Sequence, residues 1–74
     1  MDAADAKPMP AVGNGVYEIR LRSEGALRVF YAAKFEEGVV VFHAFQKKTQ
    51  QTARFDIAVG AKRYRQFLAR RVKG

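Results

Sequence analysis

A chain of 74 residues allows one small domain, and its 49% hydrophobic content excludes an intrinsically disordered chain. Cysteine is absent, which excludes disulfides, zinc–thiolate sites and a thiol nucleophile and is typical of a cytoplasmic protein. The net charge of +7 is one-sided, because residues 1–46 hold five Lys/Arg against six Asp/Glu whereas residues 47–74 hold nine against one. Such a basic half is typical of a nucleic-acid binder, although it also fits a surface that an acidic protein partner neutralises.

The first 15 residues, MDAADAKPMPAVGNG, are predicted to form a flexible lead-in. Ala, Pro and Gly dominate this stretch, and Pro8 and Pro10 block a helix. The stretch lacks the basic-then-apolar order of a signal peptide, and no apolar run in the chain approaches the ~18 residues of a membrane span. Residues 16–74 are therefore predicted to form the single folded domain, with no membrane contact.

Residues 16–45 have the period-two pattern of three antiparallel strands joined by short turns. In the first strand the apolar residues are Tyr17, Ile19 and Leu21, and the charged residues are Glu18, Arg20 and Arg22. This alternation predicts a half-buried strand whose charged side chains face solvent. Residues 27–35 form the second predicted strand and residues 39–45 the third, with turns at 23–26 and 36–38.

The last third of the chain changes to the period of an amphipathic helix. Four residues share one stripe: Ile57, Ala61, Tyr64 and Leu68. Their spacing predicts a helix from Ala53 to about Arg70, with Thr52 as its N-cap. Phe55 and Val59 lie off the stripe on a face exposed to water, where they are candidates for binding a partner. The predicted fold class is therefore α+β, a three-stranded antiparallel meander followed by a C-terminal helix.

The order of three motifs resembles the RelE/HigB-type toxins of bacterial and phage type II toxin–antitoxin systems, within the RelE/ParE superfamily. The motifs are Tyr-x-Ile-Arg-x-Arg, Leu-Arg-Val-x-Tyr and His-Ala-Phe-x-Lys-Lys-Thr, followed by the helix sequence AKRYRQFL. The resemblance runs from about Lys7 to Leu68. It implies that the chain lacks the strand and helical hairpin that precede this segment in such toxins.

The resemblance implies an activity and a set of partners. Toxins of this type are metal-independent endoribonucleases (mRNA interferases) that cleave mRNA, generally on the ribosome, and so inhibit translation until an antitoxin, often of helix-turn-helix type, binds them. Neither a metal-ligand cluster nor a Gly-rich phosphate loop appears in the sequence, so no cofactor and no metal are expected. The partners expected are mRNA on the ribosome, the antitoxin and, through the thinly covered sheet, a second copy of the chain.

Arg28 is the first candidate for binding the scissile phosphate. A charged side chain within an apolar strand needs a partner or a ligand, and the family's strand motif places a catalytic arginine at this position. The alternative is an ion pair with Glu18 across the sheet. Arg20 and Arg22 are candidates for following the RNA backbone, unless they lie on the solvent face of an edge strand.

The polar run after the third strand supplies the remaining candidates for catalysis. Lys47 and Lys48 occupy the position where the resemblance places basic residues that stabilise the substrate phosphate or the leaving group, with Gln46 and Thr49 as hydrogen-bonding helpers. The alternative for these residues is a solvated loop. The only histidine, His43, is a candidate for acid–base catalysis, or else a structural residue, since it shares the parity of the apolar strand residues.

Tyr64 is a candidate for stacking on an RNA base, although its place on the buried stripe also fits core packing. Two other functions stay open. One is a ParE-like toxin that binds DNA gyrase and cuts no RNA, and the other is an inactive remnant that binds only antitoxin or RNA.

Overall fold

A four-stranded antiparallel sheet with one helix across a face makes up the fold. It is seen in a computed structural model that describes residues 6–21, 27–46 and 52–73, with side chains as far as Arg71. The elements are β1 (Lys7–Pro8), β2 (Tyr17–Leu21), β3 (Leu27–Phe35), β4 (Gly38–Gln46) and α1 (Arg54–Lys73). The sheet order is β1-β2-β3-β4. The predicted α+β meander with a C-terminal helix is confirmed, and β1 is an additional strand.

Residues 6–15 belong to the stretch predicted to be a flexible lead-in, and in the structure they include β1 and place Val12 in the core. Lys7 and Pro8 pair with Glu18 and Tyr17 of β2. The backbone then turns so that Met9 N donates to Val16 O at 2.8 Å. Proline blocks a helix, but it is tolerated in an edge strand, where its missing N–H faces no partner. The Pro-rich composition therefore excluded a helix in this stretch but did not exclude an edge strand.

The charged side of β2 faces the helix, which reverses the predicted orientation of this strand. Glu18 is 1% exposed and lies opposite Phe30, whereas Tyr17 on the other side of the strand is 40% exposed. Alternation shows that two faces differ, but it does not show which of them α1 will cover. The apolar row of β2 consequently lies on the sheet face away from α1, called the outer face below.

A β-bulge at Phe42 changes which side chains of β4 face α1. Phe30 lies opposite His43 and Tyr31 lies opposite Val41, which leaves Phe42 as the extra residue. Phe42 is buried against α1 and His43 also contacts the helix, whereas Val41 stays exposed on the outer face. The predicted common face for His43 and Val41 is therefore wrong, because the bulge shifts the side-chain alternation by one.

The core lies between α1 and the inner face of the sheet. Phe30 is fully buried, which stabilises the fold by roughly 1.5–3 kcal/mol relative to an exposed ring. Phe42 packs edge-on against Tyr64 and Phe67 of α1, with ring centroids 5.3 and 5.8 Å apart. Gly60 lets the helix approach closely, because a Cβ there would lie 2.7 Å from Phe30 and 3.2 Å from Val12.

The helix α1 spans Arg54–Lys73, three residues longer at its C-terminal end than predicted. Its first backbone bond runs from Ile57 N to Ala53 O, so Ala53 occupies the N-cap position and the prediction of Thr52 as the cap is wrong. Phe55 is 73% exposed, as predicted, and Val59 is half-buried. Among residues 6–21, 27–46 and 52–73, no helix is long and apolar enough to cross a membrane.

Candidate active site

A buried carboxylate organises the inner face of the sheet beside the start of α1. Arg28 donates from Nη1 to Glu18 Oε2 at 3.3 Å, and the Thr52 hydroxyl donates to Glu18 Oε1 and Oε2 at 3.2 and 3.3 Å. Lys7 Nζ lies 3.7 Å from Glu18 Oε1. A buried charge is retained only when it is paired and hydrogen-bonded, and these groups meet that need from β1, β3 and the segment before α1.

Arg28 is the centre of this cluster, and its side chain is only 14% exposed. Of the two arrangements considered from the sequence, the structure contains the cross-sheet ion pair with Glu18. Contact of Arg28 with phosphate stays a prediction. Its Nε is buried with no hydrogen-bond partner in the part of the chain that the structure describes, so the guanidinium is incompletely satisfied.

Arg20 lies directly opposite Arg28 on the same face of the sheet. It is exposed, so its guanidinium remains in contact with solvent. Two like charges directly opposite one another destabilise a strand pair. Phosphate binding by this pair stays a prediction.

His43 and Asp56 form a second polar pair, between β4 and the first turn of α1. His43 Nε2 lies 2.8 Å from Asp56 Oδ1, and both side chains are mostly buried. The imidazole stacks on Phe45 with an interplanar angle of 17° and contacts Phe30. A neutral imidazole that donates from Nε2 to Asp56 keeps Nδ1 as an acceptor.

The two polar clusters share the inner face. Arg28 lies opposite Phe45 and Phe30 lies opposite His43, which makes Arg28 and His43 diagonal neighbours across β3 and β4. Diagonal neighbours on one face of a strand pair lie roughly 7–8 Å apart. The sheet register therefore brings together two residues that are 15 positions apart in the sequence.

The family to which the chain belongs follows from its sequence match. Residues 2–65 match the family model described as phage derived protein Gp49-like (DUF891). The chain belongs to the Gp49-like family. This phage-derived family is RelE-like and toxin-like, so the expected toxin resemblance is confirmed at that level. No curated protein and no solved structure matches the chain.

The Gp49-like match spans all four strands and more than half of α1, so Arg28, His43 and Asp56 all lie within the family region. Gln46 is exposed at the end of β4, and its part in catalysis stays a prediction. The remaining predicted residues of the site lie outside the described part of the chain: Arg22, Lys47, Lys48 and Thr49. In the sequence, Lys47, Lys48 and Thr49 fall between Gln46 and Thr52, and Arg22 follows Leu21.

Tyr64 has the core-packing arrangement that the sequence also allows, and stacking on an RNA base stays a prediction. Its ring is buried against Phe42, and its hydroxyl donates to Asn14 O at 2.8 Å. The two residues predicted to bind a partner, Phe55 and Val59, lie on α1. Their role stays a prediction.

The sequence analysis offers Glu18 only as an alternative ion-pair partner of Arg28 and Thr52 only as a helix cap, and it does not include Asp56. The burial of Glu18 is not predicted, because the alternation of β2 does not say which face the helix covers. Asp56 did carry a signal, since it is the one acidic residue among residues 47–74. Within the described segments no three His, Cys, Asp or Glu side chains come close enough to hold a metal ion.

Proposed function

We propose that this Gp49-like protein is the toxin of a type II toxin–antitoxin system, and that it is an endoribonuclease of the RelE/HigB kind. Its substrate is mRNA, cleaved on the ribosome, and the consequence is arrest of translation. The observation that carries the proposal is the inner-face constellation of Arg20, Arg28 and His43, which offers two cations and one proton carrier to a single phosphodiester group. Membership of a RelE-like family supports it.

The reaction requires charge stabilisation and proton transfer. The ribose 2′-oxygen attacks the adjacent phosphorus while the bond to the 5′-oxygen breaks, which yields a 2′,3′-cyclic phosphate and a 5′-hydroxyl. A proton leaves the 2′-hydroxyl and another reaches the 5′-oxygen. Negative charge gathers on the phosphoryl oxygens, and fixed cations aimed at that charge supply much of the catalysis.

Each residue has a role in this proposal. Arg28, held by Glu18, presents a fixed guanidinium to the phosphoryl oxygens, and Arg20 adds a second cation from the neighbouring strand. His43 accepts or donates a proton, and Asp56 orients its ring. Lys47 and Lys48 stabilise the leaving group, as the resemblance implies, with Gln46 and Thr49 as hydrogen-bonding helpers.

The decisive experiment compares variants of Arg28 that keep the fold. Arg28→Lys retains the positive charge beside Glu18 but loses the planar fork that grips two phosphate oxygens. We expect cleavage of ribosome-bound mRNA to fall by at least ~10-fold, which corresponds to roughly 1.4 kcal/mol of transition-state stabilisation. The double variant Arg28→Gln with Glu18→Gln removes both charges together and should be lower still, with its folded state checked by circular dichroism.

Surface charge on the helix provides the matched control. Lys62→Ala with Arg65→Ala removes two exposed cations from α1, and Lys47→Ala with Lys48→Ala removes two from the loop. The loop pair should reduce cleavage at least ~10-fold and the helix pair by less than ~2-fold. Equal loss from both pairs would mean that the basic half attracts RNA in general, and would argue against a catalytic loop.

His43 is tested separately, because its bond to Asp56 could serve the fold alone. His43→Gln keeps an N–H donor for Asp56 and removes the proton carrier. We expect at least ~100-fold slower cleavage with an unchanged unfolding midpoint, the usual scale of general acid–base catalysis. Cleavage by this variant at the wild-type rate would show that His43 has a structural role and no catalytic one.

Expression of the protein in growing bacteria tests the function as a whole. Loss of protein synthesis, with cut mRNA, is the result that we expect. Arrest of DNA replication with intact mRNA would instead indicate the gyrase-binding alternative, which does not require a phosphate site between Arg20 and Arg28. Normal growth, with the protein shown to be present and folded, would indicate the inactive remnant.

A further inference from the structure

One edge of the sheet is formed by β4, which pairs with β3 on one side and with no other strand in the described part of the chain. An edge strand directs about half of its backbone N–H and C=O groups away from the sheet. At nine residues β4 is long for an edge, and its sequence GVVVFHAFQ contains no Lys, Arg, Asp or Glu. Natural edges are usually shortened or charged to prevent pairing with another chain, so this one is open to an added strand.

A groove of about 380 Å³ runs between this edge and α1. The β4 side consists of Val40, Val41 and Phe42, and the helix side consists of Arg63, Gln66, Phe67 and Arg70. The helix residues are spaced three, one and three apart, so they form one stripe along α1. Arg63 already donates from Nη1 to the carbonyl of Phe42 at 3.1 Å, which shows that this edge accepts hydrogen bonds from outside the sheet.

The two sides of the β4 edge differ in chemistry. On the inner side an added strand would meet the guanidinium groups of Arg63 and Arg70. On the outer side it would continue a sheet face that exposes Val39 and Val41, at 67% and 56%. Side chains of a strand alternate between the two faces. The segment that fits this edge therefore carries acidic residues at every second position and apolar residues between them.

We propose that the groove between β4 and α1 binds an extended segment of a partner protein, in which acidic and apolar residues alternate, as a fifth strand of the sheet. Backbone hydrogen bonds to the free edge of β4 supply affinity, and carboxylates opposite Arg63 and Arg70 supply specificity. The inference does not rest on the proposed ribonuclease activity, because Arg20 and Arg28 lie on β2 and β3 and form no part of this groove.

Charge argues for an acidic partner and against a second copy of the chain in this groove. Pairing β4 with β4 of another copy would bring two sets of Arg63 and Arg70 together between chains of net charge +7 each. Like charges across an interface oppose association, whereas an acidic strand converts the same residues into ion pairs.

The probe is a nine-residue peptide of alternating valine and glutamate, with its ends blocked. We expect saturable binding to the full chain, with the largest shifts in the amide NMR signals at Val40, Val41 and Phe42. Three control peptides test whether binding occurs by strand addition. The first has lysine in place of glutamate, the second has all valines followed by all glutamates, and the third is N-methylated at every second residue. Each should weaken binding at least ~10-fold, since each removes the charge, the alternation or one edge of hydrogen bonds.

Protein variants locate the site. Arg70→Glu should weaken binding of the peptide at least ~10-fold, because it replaces an attraction with a repulsion. Arg65→Glu is the matched control on an exposed part of α1 outside the groove, and it should change the affinity by less than ~2-fold. Arg63→Glu should behave like Arg70→Glu, provided that its unfolding midpoint is unchanged.

Several results would overturn the proposal. Binding that Arg65→Glu weakens as much as Arg70→Glu would indicate attraction to the basic half in general. Equal affinity for the N-methylated peptide would exclude strand addition. Absence of binding at millimolar peptide, or NMR shifts confined to residues outside β4 and α1, would also contradict the proposal. Concentration-dependent association of the chain that shifts the amide signals of β4 would assign the edge to a second copy.

Discussion

At the scale of single residues, the central feature is a carboxylate buried where a hydrophobic residue would be expected. Glu18 lies opposite Phe30 in the core layer and is held by Arg28, Lys7 and Thr52. An ion pair in this position is a weak source of stability, because desolvation consumes most of the attraction. Its value is geometric, since it holds the Arg28 guanidinium in one position.

Breaking this pair on one side should be far more costly than replacing both members. Glu18→Ala leaves Arg28 without its buried partner, and we expect the free energy of unfolding to fall by about 3–5 kcal/mol. Glu18→Leu with Arg28→Met should restore most of that loss. Urea unfolding followed by circular dichroism measures both.

The exposed Glu36 in the β3–β4 turn is the control for loss of a carboxylate, and Glu36→Ala should change the free energy of unfolding by less than ~0.5 kcal/mol. If Glu18→Ala costs no more than this control, the carboxylate is not a structural partner of Arg28. The ion pair with Glu18 would then not be what holds the Arg28 guanidinium in place.

At the scale of elements, the contact of α1 with the sheet depends on a helix residue without a side chain. Gly60→Ala would raise helix propensity by about 1 kcal/mol, but its methyl group would meet Phe30 at 2.7 Å. Overpacking of a filled core costs about 1–3 kcal/mol, so after the gain in propensity we expect Gly60→Ala to lower the free energy of unfolding by up to about 2 kcal/mol in urea.

Helix propensity can be measured in the same helix at an exposed position. Ala58→Gly should cost about 1 kcal/mol, the ordinary penalty of glycine in a helix. A stabilising effect of Gly60→Ala, together with the expected cost of Ala58→Gly, would show that α1 can move away from Phe30 without loss.

The C-terminal half of α1 is tied to the β3–β4 turn by an ion pair between Arg71 and Glu37. Arg71 Nη1 lies 2.5 Å from the Glu37 carboxylate, and its guanidinium also lies over the ring of Phe35. A backbone hydrogen bond within Glu37 itself and then Arg71 lower the pKa of Glu37 from its ordinary 4.5.

This lowered pKa predicts the sign of a pH effect. The ionised form of Glu37 stabilises the folded chain above about pH 4.5, and this contribution is lost as the pH falls through the lowered pKa. Glu37→Gln should therefore be less stable than the wild type at pH 7, by a small amount because the pair is exposed, and equally stable near pH 2. Thermal unfolding at both pH values checks it, and a difference that grows in acid would contradict it.

At the scale of the whole molecule, α1 covers one face of the sheet, and no helix among residues 6–21, 27–46 and 52–73 covers the other. The outer face carries Tyr17, Ile19, Val29, Tyr31 and Val41, without a charged residue among these. Tyr17 and Tyr31 stack there with ring centroids 6.1 Å apart. Exposed apolar patches of this kind favour association with another protein surface, while the charge of +7 resides elsewhere.

We expect the isolated chain to form a dimer through this face at micromolar concentration. Tyr17→Lys with Val39→Lys places two charges on the face and should yield a monomer by light scattering. Phe55→Lys on α1 is the control and should leave the dimer intact. A wild-type chain that is monomeric at this concentration, or a dimer that only Phe55→Lys disrupts, would exclude the outer face.

The sequence by itself determined the secondary structure and most of the element order. Periods of two and 3.6 residues predicted β2, β3, β4 and α1 to within a few residues, because these periods follow directly from strand and helix geometry. The motif order also predicted membership of a toxin-like family, which the Gp49-like match supports. The local sequence pattern was sufficient to predict the secondary structure and the family resemblance, since neither depends on which elements pack against each other.

Only the tertiary structure decided which faces meet and so which residues form the site. The helix covers the charged side of β2, where Glu18 becomes a buried partner of Arg28. The bulge at Phe42 directs His43 towards Asp56, against the parity of the strand. A periodic sequence distinguishes the two faces of a strand but does not show which face is buried. A bulge adds one residue to a strand, and here no sequence pattern marks its position. The burial of Glu18, its pairing with Arg28 and the diagonal placement of Arg28 and His43 are therefore properties of the folded chain.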